Sequence, residues 1–178
     1  MEKYLFPDIL LNCNEKGGKG NMLEMRRVDR LMKEEDAFAL LEKGEYGILA
    51  TVDREGWPYG TPVNYVVADK HIYFHGTASG GSKYDNIMRD GRVCFTVVGK
   101  TEVTPEKFGT LFESVIAFGE ASLVSDEEER LAVFREFLKK YSSEFLTEGE
   151  KYIKAMGPKA MIVKIAIKSL TGKQKQRS

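Results

Sequence analysis

Residues 47–83 read GILATVDREGWPYGTPVNYVVADKHIYFHGTASGGSK, and this stretch decides the fold. Its apolar and alternating runs, separated by turn residues, predict three successive β-strands and then a Gly/Ser loop that opens a short helix at Lys83. The predicted strands carry polar side chains at Thr51, Asn64 and His75. The loop offers backbone N–H groups and one cation to an anionic group. Together these features favour a phosphate-bearing planar ligand over a purely structural sheet.

The composition limits the classes of protein to which the chain can belong. Its 178 residues suit one domain with a sizeable core. Lysine plus arginine and aspartate plus glutamate both number 27, so the formal net charge is zero, which argues against a nucleic-acid binder. No apolar run approaches the roughly 20 residues of a membrane helix. Cys13 and Cys94 show no disulfide or metal-site spacing, and we therefore expect a soluble, cytoplasmic protein.

We divide the chain into three parts. Residues 1–24 are interpreted as an N-terminal extension, because NCNEKGGKGN has the composition of a flexible segment. Residues 25–172 are predicted to form the folded domain. Residues 173–178, KQKQRS, are a short basic tail that we interpret as a solvated end rather than a nucleic-acid arm.

Strand and helix patterns alternate through the predicted domain. We predict helices at residues 33–43, 83–89 and 148–156, and another that a capping box at residues 125–128 opens. We predict six strands, at residues 46–53, 58–68, 71–75, 93–98, 111–124 and 160–170. A loop is expected at residues 100–110, and a bend in the fifth strand at Gly119. Short turns favour antiparallel pairing, and a small closed barrel best removes the exposed sheet edges.

The loop from Gly76 to Lys83 is a candidate phosphate site. Ser82 is a plausible N-cap of the helix that follows, and a helix N-terminus presents free N–H groups and a partial positive charge. The glycines permit close approach of the backbone, and Lys83 adds a full charge. The alternative is a flexible loop with an N-cap and a solvated lysine. It remains open because the segment has no Walker or Rossmann spacing to support phosphate binding.

Two polar strand residues are candidates for ligand contacts. If Ile72 and Phe74 point to the core, the two-residue period places His75 on the opposite face, where it can contact a phosphate or polarise a carbonyl or nitro group. The alternative is a hydrogen-bonded histidine at a strand end. The Asn64 amide is both donor and acceptor, which suits the edge of a heterocycle. Its alternative role is to satisfy the backbone beside the irregularity at Pro62.

Four segments in this order resemble the nitroimidazole-resistance (Nim) family of pyridoxamine 5'-phosphate oxidase-related flavoproteins. They are YGILATVDREGWPYGTPVNYV, IYFHGTASGGSKYDNI, VCFTVVG and FESVIAFGEA. The resemblance extends over about residues 25–172. It implies a mainly β fold, a six-stranded antiparallel split barrel with flanking helices that binds FMN. It also implies a homodimer with FMN at the subunit interface and no nucleic-acid or membrane partner.

The resemblance also implies which residues contact the cofactor. The FMN-binding positions would be Thr51, Pro62, Val63, Asn64, Tyr65, His75, Gly76, Ser82, Lys83 and Ser114. Within this set, Ser82 and Lys83 match the phosphate-binding positions, and His75 matches the catalytic histidine beside the cofactor. The strand that carries an arginine in the true oxidases carries Asn64 here, which disfavours oxidation of vitamin B6 and favours the Nim-like branch.

The implied activity is that of an FMN-dependent oxidoreductase, a nitroreductase of the Nim type. Electrons would pass through the flavin to a small acceptor, for which a nitroaromatic compound is one candidate. Two alternatives remain open from the sequence. One is a flavin- or haem-binding module without turnover, with His75 as a haem ligand, and the other is a structural homodimer with an empty cleft.

Overall fold

The computed structural model describes residues 25–77 and 79–177, so the predicted extension at residues 1–24 lies outside the described residues. The strands of the described part are β1 (Tyr46–Val52), β2 (Pro58–Asn64), β3 (Val66–Ala68), β4 (His71–Thr77), β5 (Arg92–Thr104), β6 (Gly109–Leu123) and β7 (Ala160–Lys175). Its α-helices are α1 (Glu34–Lys43), α2 (Ser82–Arg89), α3 (Glu127–Tyr141) and α4 (Leu146–Met156). The fold is therefore mainly β with flanking helices.

All seven strands belong to one curled antiparallel sheet, which confirms the predicted split barrel. The strand order is β2-β1-β5-β6-β7-β4-β3. Its two outermost strands, β2 and β3, are consecutive in the chain, and only Tyr65 separates them. The strand count is seven rather than the predicted six, because the strand predicted at residues 58–68 breaks at Tyr65. Asp69 and Lys70 then join β3 to β4 with φ angles of 46° and 64°, as a tight two-residue hairpin turn requires.

Apolar side chains from alternate strand positions fill the interior of the barrel. Leu49 on β1, Phe95 on β5 and Val115 on β6 are completely buried there. Helix α1 adds Leu41 and helix α2 adds Ile87 to the same core. Burying a side chain of this size stabilises the fold by about 1.5–3 kcal/mol, so this core is the main reason the sheet closes.

A second, smaller core lies between the outside of the barrel and α3. Tyr73 on β4 points outward and packs with Val133 and Phe137 of α3. The carboxylate of Glu129, in the first turn of α3, accepts hydrogen bonds from the Tyr73 hydroxyl and from the Lys164 ammonium, both at 2.9 Å. These contacts hold α3 over the half of the barrel that contains β4 and β7.

The other half of the outer surface carries apolar side chains. Ile48, Val52, Val98, Ile116 and Phe118 all point outward from β1, β5 and β6 and are exposed. Ile48 and Ile116 lie in one row across the sheet, because both pair with Thr96 of β5. We call these five residues the outer apolar face. Clustered exposed apolar residues are typical of an interaction surface.

Two strands are longer than predicted. The expected loop at residues 100–110 is the end of a hairpin, because β5 and β6 continue to pair as far as Thr104 and Gly109 beyond a register shift that follows Val98. Strand β7 runs through Lys175 into the predicted tail, since its last residues pair with β6. The bend predicted at Gly119 coincides with a register shift against β7.

Two predicted helix caps are also wrong. The N-cap of α2 is Gly81 rather than Ser82, which is the first helical residue. The N-cap of α3 is Asp126 rather than Ser125, because the Asp126 carboxylate accepts a hydrogen bond of 2.7 Å from the backbone N–H of Glu129. An aspartate side chain caps a helix as well as serine does, so the sequence alone does not select between them.

Candidate functional site

A cavity of about 640 Å³ lies at the end of β4, between the sheet and the helices α3 and α4. Its lining residues are Asn64, His75, Gly76, Thr77, Phe134, Phe137, Leu138, Tyr141, Ser142, Tyr152, Ile153, Met156, Gly157, Lys159 and Ala160. Most of this wall is apolar or aromatic, with a few polar groups at its edges. A cavity of this size and composition is typical of small-molecule sites.

The alternation of β4 places His75 in this cavity. Ile72 and Phe74 point into the barrel and are fully buried, so His75 faces outward as predicted. Its ring lies edge-to-face against Phe137, with ring centroids 4.6 Å apart, and 6.1 Å from the ring of Phe134. Burial lowers the pKa of His75, which keeps the imidazole neutral at pH 7. No described residue is hydrogen-bonded to this ring, so its two nitrogens are available to a ligand.

Asn64 also lines the cavity, beside the break between β2 and β3. Its amide donates a hydrogen bond of 3.1 Å to the backbone carbonyl of Glu45. The Tyr141 hydroxyl accepts from the backbone N–H of Tyr65 at 3.0 Å and lies 2.7 Å from the carbonyl oxygens of Tyr65 and Glu45. The last turn of α3 therefore replaces the missing strand pairing and holds Asn64 at the cavity edge.

Lys140 contacts the same strand break. Its ammonium donates a hydrogen bond of 3.0 Å to the Tyr65 carbonyl and lies 4.1 Å from the centre of the Tyr65 ring. Burial lowers the pKa of Lys140 to about 8, an effect that the charges of Glu42 and Glu45 partly offset. The strand break thus carries a lysine that loses its proton more easily than a solvated one.

The Gly/Ser loop and α2 adjoin the cavity through Tyr84. This side chain is 3 % exposed, and a Cβ added to Gly76 would lie 2.0 Å from its hydroxyl oxygen, so the tyrosine packs directly behind the cavity wall. The Lys83 ammonium lies 5.0 Å from the centre of the Tyr84 ring. Gly80 and Gly81 have φ angles of 81° and 134°, and nothing lies within 4 Å of a Cβ built on either. The loop therefore presents open backbone next to a lysine and a helix N-terminus.

The structure brings together three of the ten predicted site residues in the cavity: Asn64, His75 and Gly76. Ser82 and Lys83 lie at the start of α2, behind Gly76. Pro62 is exposed on the same face of β2 as Asn64.

The other four predicted residues lie elsewhere. Thr51 is buried and accepts a hydrogen bond of 3.0 Å from the Asn86 amide. Val63 packs against the barrel core, and Tyr65 is buried in it with its hydroxyl donating to the Leu41 carbonyl. Ser114 lies on the outside of β6, paired with Val98.

Sequence reasoning missed the helical side of the cavity. Phe134, Phe137 and Tyr141 of α3, with Tyr152 of α4 and Lys159 of the turn before β7, form this wall. Phe134 and Tyr141 are spaced seven residues apart on α3, a helical period that more often indicates a core-facing stripe than a ligand wall. The density of aromatic rings in these helices was the available signal.

We also searched residues 25–77 and 79–177 for metal sites, membrane helices and reactive cysteines. Within these ranges, no group of three or more His, Cys, Asp and Glu side chains is placed to hold a metal ion. No helix in them combines the length and apolar character that a membrane crossing requires. The Cys94 thiol is free and half-buried, and burial raises its pKa.

Comparison with protein families supports the same fold. The family model described as pyridoxamine 5'-phosphate oxidase matches residues 33–174. The chain belongs to this family. No curated protein matches the chain.

Several solved structures resemble the fold of this chain at low sequence identity. A conserved hypothetical protein from Mycobacterium tuberculosis has a TM-score of 0.74 and 22% identity, covering 87% of this chain and 96% of that one. The flavocytochrome Anf3 from Azotobacter vinelandii has a TM-score of 0.66 and 20% identity, covering 86% and 73%. A candidate 5-nitroimidazole antibiotic resistance protein from Bacteroides thetaiotaomicron has a TM-score of 0.64 and 18% identity, covering 80% and 85%. At identities this low, the structural similarity establishes the shared fold alone.

Proposed function

We propose that this chain is an FMN-binding oxidoreductase of the Nim type, which transfers electrons from a reduced donor to a small planar acceptor. The observation that carries the proposal is the aromatic cavity at His75, which adjoins an open Gly/Ser loop with a lysine. Membership of the pyridoxamine 5'-phosphate oxidase family supports a flavin. Similar folds described as a flavocytochrome and as a FAD- and haem-binding protein support it further.

The Gly/Ser loop fits the phosphate of FMN. Gly80 and Gly81 leave the space that side chains would occupy open to a ligand. Helix α2 begins directly after them at Ser82, and its first N–H groups have no partner within the helix. Lys83 in the first turn adds a positive charge, so both the helix end and the side chain favour a phosphate.

The cavity fits the flavin ring. Its walls at Phe137 and Tyr141 are aromatic, and the rings of these two residues are stacked with centroids 5.9 Å apart. The neutral imidazole of His75 offers one donor and one acceptor, and the Asn64 amide, whose nitrogen donates to the Glu45 carbonyl, adds a side-chain oxygen that can accept. An aromatic heterocycle would therefore be held in this cavity by the aromatic walls and by the polar groups of His75 and Asn64.

A flavin bound here would supply two-electron chemistry through its N5 atom. The residues of the chain would orient the acceptor and exclude water. His75 can donate its N–H to a carbonyl or nitro oxygen of the acceptor, because its ring lines the cavity and makes no competing hydrogen bond to a described residue. The similarity to the Bacteroides protein supports a nitroaromatic acceptor.

The outer apolar face supports the proposal of a homodimer. Ile48, Val52, Val98, Ile116 and Phe118 are exposed on the half of the barrel opposite α3, and burial against a second copy would remove them from water. Pro62 and Asn64 lie on exposed positions of β2, at the edge of this half. The partner subunit would then complete the FMN site from the side that α3 and α4 leave open.

Titration with FMN tests the proposed function. The purified protein should show a flavin absorption spectrum or bind added FMN, and a nitroimidazole should reoxidise the reduced protein. Lys83→Ala should weaken FMN binding about tenfold and leave riboflavin binding unchanged, since riboflavin lacks the phosphate. Lys107→Ala, in the distant β5–β6 turn, is the matched control. A colourless protein that takes up no FMN would overturn the proposal.

Haem binding is a second candidate function. The His75 imidazole faces an apolar cavity and is hydrogen-bonded to no described residue, which suits an axial ligand. Added haem should then produce an absorption band that His75→Ala removes. If His75→Ala loses the haem band but still binds FMN, His75 is a ligand of haem and is not needed for FMN. The absence of any haem band in the wild type would eliminate this candidate.

A further inference from the structure

Lys159 is the only charged side chain that lines the cavity within the described part of the chain, given that His75 is neutral. It ends the 3₁₀ turn Gly157–Lys159, and the next residue, Ala160, pairs with Thr77 at the end of β4. No described residue forms an ion pair or hydrogen bond with the Lys159 ammonium. The cavity therefore contains one unpaired cation.

The turn that carries Lys159 is held in position. Arg130 of α3 donates hydrogen bonds from Nη2 to the carbonyl oxygens of Gly157 and Ala160, at 2.8 and 3.0 Å. These acceptors flank Lys159 on both sides. The root of the lysine is thereby fixed at the cavity edge, which lowers the entropy that a ligand contact would cost.

The rest of the wall determines what this cation can recognise. The aromatic side chains Phe134, Phe137, Tyr141 and Tyr152 suit an aromatic ring. Within the described residues, neither aspartate nor glutamate lines the cavity, so nothing balances Lys159 and a cationic ligand would be repelled. The proposed phosphate site at Lys83 lies behind Gly76, outside this lining, and already has its own cation.

We infer that the electron acceptor is an aromatic compound with an anionic substituent, a carboxylate or a phosphate, that pairs with Lys159. The inference rests on the proposed function, because it concerns the acceptor that shares this cavity with the flavin. The class of expected acceptors is then acidic aromatic compounds rather than small planar molecules in general. Neutral aromatic compounds would bind less tightly, and aromatic ammonium compounds least.

Three acceptors that share a ring and a nitro group test the inference. Equilibrium dialysis measures the Kd of 4-nitrobenzoate, 4-nitrobenzyl alcohol and 4-nitrobenzylamine with the FMN-loaded protein. The carboxylate should bind about three- to tenfold more tightly than the alcohol, the range expected for one partly exposed ion pair, and the amine should bind most weakly. The preference should decrease as salt is added.

Variants of Lys159 test whether this residue causes the preference for the carboxylate. Lys159→Gln should remove the preference for the carboxylate and leave the Kd of the alcohol within twofold, and Lys159→Arg should retain the preference. Lys154→Gln on the exposed side of α4 is the matched control. Equal Kd values for carboxylate and alcohol would overturn the inference. Weaker binding of FMN but not of riboflavin by Lys159→Gln would also overturn it, by assigning the lysine to the cofactor phosphate.

The inference and the proposed function fail separately. If the protein does not bind FMN, the proposed function fails, and dialysis with the cofactor-free protein still measures the charge preference of the cavity. If FMN binds and the preference is absent, the flavoprotein assignment stands and only the acidic acceptor is eliminated.

Discussion

The Tyr141 hydroxyl is hydrogen-bonded to both backbone groups of Tyr65, accepting from its N–H at 3.0 Å and lying 2.7 Å from its carbonyl oxygen. One side chain of α3 thus satisfies the backbone at the point where the sheet breaks. Buried backbone groups without a partner are costly, so this contact explains how the chain can leave the sheet between β2 and β3. It also joins α3, which forms one wall of the cavity, to Asn64, which lies at the cavity edge.

Removing that hydroxyl should destabilise the protein. Tyr141→Phe leaves the Tyr65 N–H without its acceptor, and we expect a loss of about 1–3 kcal/mol in the free energy of unfolding. Urea denaturation measures this change. Tyr152→Phe is the matched control, because Tyr152 is 66 % exposed and should tolerate the change within about 0.5 kcal/mol. Equal stability of the two variants would contradict the structural role of Tyr141.

Lys140 should make stability depend on pH in the alkaline range. Its pKa is about 8 in the folded protein against the usual 10.5, so the unfolded chain binds more protons between these values. The contribution of Lys140 to the free energy of unfolding therefore rises as pH increases from about 8 towards 10.5. Urea denaturation at pH 7 to 10 should show this rise in the wild type and a smaller one in Lys140→Met. Lys139→Met, at an exposed ion pair with Glu136, should behave like the wild type.

Gly76 should tolerate a methyl group only if Tyr84 becomes smaller. A Cβ at Gly76 would lie 2.0 Å from the Tyr84 hydroxyl, and this buried hydroxyl has no hydrogen-bond partner among the described residues. Gly76→Ala should cost about 1–3 kcal/mol in thermal or urea unfolding, as overpacking does. Tyr84→Phe should be nearly neutral alone and should reduce the cost of Gly76→Ala. Gly60→Ala, whose Cβ would have only an ordinary contact of 3.6 Å, is the control, and purely additive costs would contradict the predicted clash.

The outer apolar face should mediate dimerisation. Phe118→Glu places a charge on this face, and burying it in a dimer interface without a partner would be unfavourable. Analytical ultracentrifugation should show a dimer for the wild type and a monomer for the variant, with an unchanged circular dichroism spectrum. Phe145→Glu, at an exposed phenylalanine of the turn between α3 and α4, should remain dimeric. A dimeric Phe118→Glu variant would exclude this face as the interface.

Much of the fold could be predicted because its signals are local. The alternation of Ile72, Phe74 and His75 indicated which side of β4 faces the core, and the structure confirms it. Short connections such as Asp69 and Lys70 indicated antiparallel pairing. Helix caps were less certain, because neighbouring residues such as Ser125 and Asp126 can each cap a helix.

The sequence by itself determined where most of the strands lie, the antiparallel pairing across short turns and the glycine-rich loop before α2, since turns and the two-residue period act over a few residues. Only the tertiary structure decided the break at Tyr65 and the wall that α3 and α4 add to the cavity. Tyr65 and Tyr141 are 76 residues apart, and Arg130 reaches Gly157 across 27 residues. Such contacts depend on how α3 packs over the barrel. No local pattern encodes them, because an aromatic stripe has the same period whether it faces a core or a ligand.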